Sequence, residues 1–293
     1  MSLSVRDVVA AMEALYPPAV AEGWDSVGLI AGDPAAPVSR VLLAVDPVES
    51  VVDEAIEAGA QMVITHHPLF LRGVNSVAAD TFKGRVIHRL VSAGIALYNA
   101  HTNADSAERG VADALADACG LLDRRPLVPR KEVEPVPESV EGVETSASPP
   151  SVGLGRVGRL PEPTTLGALA QRVADVLPRV AQGVRVAGPL DAPVATVAVL
   201  GGSGDSLFDA VRASGVDVYV TSDLRHHPAS EAREAAAFGD GRPYLIDTAH
   251  FASEWPWLRY AAHDLAERLD DGVECVVSER VSDPWTATLH PLI

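Results

Sequence analysis

EAIEAGAQMVITHHP, residues 54–68, and DAVRASGVDVYVTSDLRHHP, residues 209–228, decide the architecture of the chain. Each reads as the end of an amphipathic helix, a glycine that closes it, a short apolar strand, and then His-His-Pro. A second pair of stretches follows in the same order. IALYNAHTNAD (95–105) and PYLIDTAHFASE (243–254) each give a strand, an Ala-His, and a carboxylate four residues beyond the His. Two such matches in one order imply an internal duplication with a pseudo-twofold arrangement, and therefore a site between two lobes.

Outward from these stretches, strand and helix patterns alternate. RVLLAVD (40–46), VESVVDEAIEAG, QMVITH (61–66), TFKGRVIHRLVSAG and IALYNAH (95–101) alternate in the first half. TVAVL (196–200), DSLFDAVRASG, VDVYVTSD (216–223), PASEAREAAAFG and PYLIDTAH (243–250) alternate in the second, followed by a long helix over 254–269 and the strand VECVVSE (273–279). Such alternation predicts βαβ units. The expected fold is α/β: two pseudo-symmetric α/β lobes with mostly parallel sheets facing a common cleft. Residues 126–151, rich in Pro, Glu, Val and Ser without period, read as an acidic linker or loop. The expected division is a lobe over 1–125, this linker, and a lobe over 152–293.

Composition narrows the functional classes. Among 293 residues, 40 Asp and Glu against 23 Lys and Arg give a formal net charge of −17, which repels phosphate backbones, so duplex nucleic acid is an unfavourable partner. Two cysteines, Cys119 and Cys275, are too few for a thiolate metal site or a disulfide framework. The N-terminus lacks a basic start and an unbroken apolar core, and no apolar run reaches the roughly 18 residues of a membrane span. We expect a cytoplasmic protein with no membrane partner.

The chemistry sits at strand ends, where open α/β sheets carry their ligands. One strand-end His is ordinarily a hydrogen-bonded structural residue. His66, His67, Asp105, His250 and Glu254 together point to metal, because imidazole and carboxylate without thiolate suit Zn, Mn, Fe or Ni. Adjacent His66 and His67 diverge in extended backbone and so suit two neighbouring ions, which a carboxylate can bridge. His101, directly after a strand, is the candidate for proton transfer or for supporting a ligand. His226 and His227 mirror the first pair and are expected to face the same cleft as substrate or supporting residues. Asp25, in GWDSVGLIAGD (23–33), is a turn residue by default and a pocket residue as the alternative. GGSGDS (201–206) is either a tight turn or an anion site. His88, His263 and His290 lack such context.

The motifs WDSVGLIAGD, VLLAVD, VITHHPLF, NAHTNAD, VGLGRVGRL, VAVLGGSGDS, VTSDLRHH and DTAHFASE, in this order, resemble the YbgI-like dinuclear metal-centre proteins, also known as type 2 GTP cyclohydrolase I homologues. The resemblance covers about residues 5–280. It implies two divalent ions per chain held by His66, His67, Asp105, His250 and Glu254, a common cleft, and a toroidal homohexamer. Ser222 stands where the family pattern usually has Gly, and the large mid-chain insertion of longer relatives is replaced by the 126–151 segment. The expected function is a dinuclear metal-dependent hydrolase, with ring-opening hydrolysis of a nucleotide such as GTP as the candidate reaction. The alternatives are a non-catalytic metal-binding or metal-delivery protein and a metal-dependent phosphoesterase.

Overall fold

The structure is a computed structural model that describes residues 3–130 and 151–289. In chain order the first half contains α1 (Val5–Leu15), β1 (Gly28–Ala31), β2 (Arg40–Ala44), α2 (Glu49–Glu57), β3 (Met62–Thr65), α3 (Phe82–Ser92), β4 (Ala96–Asn99), α4 (Thr102–Ser106) and α5 (Val111–Cys119). The second half contains β5 (Leu122–Pro129), β6 (Gly153–Thr165), α6 (Leu166–Val176), β7 (Arg185–Ala187), β8 (Pro193–Ser203), α7 (Phe208–Ser214), β9 (Val218–Ser222), α8 (His226–Phe238), β10 (Tyr244–Thr248), α9 (His250–Glu254), α10 (Trp257–Arg268) and β11 (Glu274–Val277). No described helix is long and apolar enough to cross a membrane.

The helices form where the sequence places caps and apolar stripes. Ser4 and Asp7 make a capping box at α1, Thr81 caps α3 through the Gly84 amide, and Thr165 caps α6 through that of Ala168. The first sheet has the order β1-β4-β3-β2-β11, with β11, β2, β3 and β4 parallel and β1 antiparallel at the edge. The second has the order β5-β6-β8-β9-β10-β7, with β8, β9 and β10 parallel between antiparallel edges. The central parallel strands β2, β3, β4, β9 and β10 are buried on both faces, as their unbroken apolar runs require. Leu42, Val63 and Leu97 pack under α2 and α3, while Val41, Met62 and Tyr98 join Met12, Trp257 and Leu265 of α1 and α10. In the second sheet Val197, Val218 and Ile246 meet α5 and α6, and Ala198, Tyr219 and Leu245 face α7 and α8.

Two details differ from the sequence reading. Residues 126–129, expected in the linker, belong to β5 and pair antiparallel with β6; residues 131–150 of that segment lie outside the described residues. The apolar side chains of residues 126–129, such as Leu127 in the core with Phe208 and Val211 of α7, explain the strand. The sheets also exchange chain: β11, read with the second lobe, returns to the first sheet and pairs parallel with β2 through Cys275↔Val41 and Val276↔Leu42.

Register brings the functional strand ends level. Ala44, Thr65 and Asn99 are neighbours at the carboxyl end of one sheet, and Ser222 and Thr248 at that of the other. His101 lies two residues past Asn99 and His250 two past Thr248, each opening a five-residue helix whose carboxylate closes one turn later. The cleft is therefore framed by the carboxyl ends of both parallel cores.

Candidate metal centre

Four imidazoles converge in the cleft, and each is held by its Nδ1. His66 Nδ1 donates to the Ala100 carbonyl at 2.9 Å, and His67 Nδ1 to Asp46 Oδ1 at 2.7 Å. His101 Nδ1 donates to Asp25 Oδ2 at 3.0 Å, and His250 Nδ1 to Asp223 Oδ2 at 2.7 Å. The acceptors are a carbonyl and three carboxylates, which have no hydrogen to give, so every Nδ1 carries the proton. This is the orientation that frees Nε2 for a metal, with the carboxylate partner raising its basicity.

The Nε2 atoms and two carboxylates meet at one point. His67 Nε2 lies 3.2 Å from His250 Nε2 and 3.0 Å from Glu254 Oε2; His250 Nε2 lies 3.0 Å from Glu254 Oε1. His66 Nε2 lies 3.4 Å from Glu254 Oε1 and 3.6 Å from Asp105 Oδ1. With each Nδ1–H held, the Nε2 lone pairs of His67 and His250, 3.2 Å apart, would repel unless a proton or a metal ion lies between them. His66 Nε2 and Glu254 Oε2 are buried without a hydrogen-bond partner among the described residues, since the approach of His67 to Oε2 lacks hydrogen-bond geometry. Ligand atoms 2.0–2.1 Å from a tetrahedral ion would be about 3.3 Å apart, close to the separations among His67, His250 and Glu254. His67, His250 and Glu254 form one group able to hold an ion, and His66, His67 and His101 another.

The floor of the site is built from glycine. Gly202 at the end of β8 has φ +71°, and a Cβ there would stand 2.5 Å from Glu254 Oε1 and 3.3 Å from His250 Nε2. At Gly201 a Cβ would stand 2.5 Å from Val111 Cγ1 and in ordinary contact, 3.5 Å, with Glu254 Cγ. Only glycine lets the strand approach the carboxylate this closely. Ser253 Oγ accepts from the Gly202 amide at 2.9 Å and donates to the His250 carbonyl at 2.7 Å. Ser222 Oγ lies 3.0 Å from Ser253 Oγ and 2.9 Å from Thr248 Oγ1, so the Ser222 hydroxyl joins this support. Of the two readings of GGSGDS, the glycines thus serve the floor of the metal-binding group.

Charge in the cleft favours a cation. Burial pulls the His67 imidazole down, but Glu254 and Asp46 outweigh it and lift it to about 10; Glu254 and Asp223 likewise lift His250 to about 11. Burial works against the Glu254 carboxylate, yet the facing imidazoles hold it well below its ordinary range. Burial and Glu254 push Asp105 up to about 6. Without metal, His67 and His250 are therefore protonated at neutral pH, and an ion must displace both protons. Uptake of Zn through His67, His250 and Glu254 should release about two protons per ion, so affinity should rise about a hundredfold per pH unit between about pH 7 and 9. Titrations in buffers of different ionisation enthalpy measure this release; a pH-independent affinity would contradict it. The same raised values favour folding of the metal-free protein below the unfolded His value, and that gain disappears as pH rises through about 10 to 11.

The structure brings His66, His67, Asp105, His250, Glu254 and His101 together. Asp25 closes a turn through its amide and also accepts from His101 and from Thr102, through the amide at 3.1 Å and the hydroxyl at 2.6 Å. His226 and His227 are not brought in: they open α8, are exposed, and do not line the cleft cavity; His226 lines a separate pocket with Arg185 and Arg233. The strand register explains this, since the residue after β3 is His66 and the residue after β9 is Asp223. His-His-Pro in the second half lies three residues too late. Asp46, Asp223 and Gly202 are functional positions that sequence reading did not assign; Asp46 and Asp223 each sit just beyond a parallel strand, a signal that sequence does offer.

The Duf34/NIF3 (NGG1p interacting factor 3) family matches residues 3–284. A Streptomyces coelicolor protein described as a GTP cyclohydrolase 1 type 2 homolog is 52% identical over 286 residues, covering 97% of this chain and 94% of its own. The crystal structure of a Bacillus cereus protein related to NIF3 superposes with a TM-score of 0.84 at 27% identity, covering 98% of this chain and 100% of its own. The structure of protein ybgI, at 22% identity and a TM-score of 0.73 over 96% of this chain and 100% of its own, shares the fold. With the match running from before α1 to beyond β11, the chain belongs to the Duf34/NIF3 family.

Proposed function

We propose that the chain is a dinuclear metal-dependent hydrolase acting on a nucleotide such as GTP, assembled as a homohexamer. One observation carries the dinuclear reading: Glu254 turns one oxygen to His67 and the other to His250 and His66. We assign His67 and His250 to one ion and His66 and Asp105 to the other, with Glu254 able to reach both because its two oxygens together contact all three imidazoles. Bound divalent ions supply Lewis acidity and lower the pKa of water toward neutrality.

The remaining work falls to side chains of the chain. Burial and the neighbouring His66 push His101 down to about 4, against the pull of Asp25. At neutral pH it is an uncharged imidazole with Nδ1–H fixed on Asp25 and Nε2 free to accept a proton. It lines a cavity of about 730 Å3 together with His67 and His250, within the range of small-molecule sites. In the ring opening suggested by the relatives' name, water adds to the carbon of the purine imidazole ring and a C–N bond breaks. His101 would take the proton from that water and return it to the nitrogen that leaves as the C–N bond breaks.

The experiment is turnover of GTP by the metal-loaded protein, followed through the loss of purine absorbance. His101→Ala should lower kcat about 10²- to 10⁴-fold while the ion at His67, His250 and Glu254 is retained. Turnover absent in wild type, or unchanged in His101→Ala, would contradict this role.

A further inference from the structure

The outer part of the cleft cavity differs from the remaining surface in its side chains. Among the described residues four aromatic rings are more than half exposed, Trp24, Phe82, Phe238 and Trp285 at 60, 66, 96 and 67%, and all but Phe238 line this cavity. They come from separate segments: Trp24 precedes β1, Phe82 begins α3, and Trp285 follows β11. Aromatic residues make up only 5% of the chain, so three exposed rings around one opening are a concentration that folding does not require.

These rings are held in place. Trp24 stands edge-on to His101 with centroids 5.9 Å apart. The segment carrying Trp285 is tied at both ends: Ser282 Oγ donates to Asp46, and Thr288 Oγ1 donates to the Ala181 carbonyl at 2.5 Å. Between these ties Asp283 Oδ1 accepts from the Trp285 amide at 2.8 Å. Histidines apart, Lys83 is the one cation among the lining residues, and it has no carboxylate partner among the described residues. Its Nζ lies 5.7 Å from the centre of the Phe82 ring. Asp46, Asp223 and Asp283 also line the cavity, so an anion has one favourable place in it, at Lys83.

We propose that the cavity binds a planar aromatic ring bearing an anionic group, with the ring against Trp24 and Trp285 and the anion at Lys83. The proposal rests on the metal-centre reading only for what happens at the inner end of the cavity. Rigid exposed rings stack on any planar π-system, and they are a poorer match to an aliphatic chain. A neutral sugar would leave the Lys83 ammonium unused. Gln182 and Ser203, uncharged polar residues that also line the cavity, can fix the ring's orientation.

Calorimetric binding to the metal-loaded protein tests this, with GTP, folate, flavin mononucleotide and pyridoxal phosphate as ring-bearing anions and guanosine and tripolyphosphate as the separate halves. At least one ring-bearing anion should bind with Kd below about 1 mM. Trp24→Ala and Trp285→Ala should each weaken it about tenfold or more without moving tripolyphosphate. Lys83→Gln should weaken the anion and leave guanosine unchanged. All three variants should keep wild-type metal content. The proposal is overturned if no ring-bearing anion binds, if the tryptophan variants bind as wild type does, or if tripolyphosphate alone matches the best ligand. Full metal content with no ring binding would remove this proposal and leave the metal centre intact; ring binding without metal would do the reverse.

Discussion

Glu254→Gln is expected to bind no metal under conditions that saturate the wild-type protein. Glu254 is 3% exposed and within 3.4 Å of three imidazole nitrogens. An amide of the same shape offers one neutral oxygen where the carboxylate offers two charged ones, so one ligand atom is lost and the one that stays loses its charge. It also removes one of the charges that, with Asp46 and Asp223, hold His67 and His250 protonated, and leaves the two rings facing each other without the carboxylate between them. The readout is thermal unfolding with and without Zn. At a free concentration of 1,000 Kd an ion that binds only the folded state adds about 4 kcal/mol, and the variant should show none of this gain. A Zn-dependent rise in Tm equal to that of wild type would mean that Glu254 is not a ligand.

Gly202→Ala should produce a comparable loss by a different physical route. At φ +71° a side chain costs about 1–2 kcal/mol of backbone strain, and the added methyl would lie 2.5 Å from Glu254 Oε1. The carboxylate must rotate away from His250, so metal affinity should fall at least 10- to 100-fold, the scale seen when support of a ligand is lost. Gly215→Ala supplies the control, because Gly215 has φ +68° and open space around its Cβ position. It should show the strain in its melting temperature and keep full metal affinity. Equal affinities in the two variants would show that Gly202 does not set the position of Glu254.

Local pattern carried much of this site into view. QMVITH and PYLIDTAH are apolar runs that end in polar ligands, and the His-x-x-x-carboxylate spacing of one helical turn places His250 and Glu254 together whatever surrounds them. What the sequence hid was non-local. That β11 crosses back to β2 depends on pairing between residues more than 200 positions apart, which no periodicity encodes. Asp46 and Asp223 look like ordinary strand-end carboxylates until the sheets face each other and their histidine partners arrive from other strands. The repeated His-His-Pro misled for the opposite reason: the motif recurs, but the turn after β9 contains Asp223 at φ +55° and starts its helix at His226, so the repeated letters occupy different structural positions.

The most direct test of the account is the metal content of the untagged protein, stripped with chelator, reloaded with Zn or Mn, and measured by elemental analysis beside Glu254→Gln treated identically. The account predicts about two ions per wild-type chain and none retained by the variant. Trace stoichiometry in the wild type, or equal content in both proteins, would contradict it.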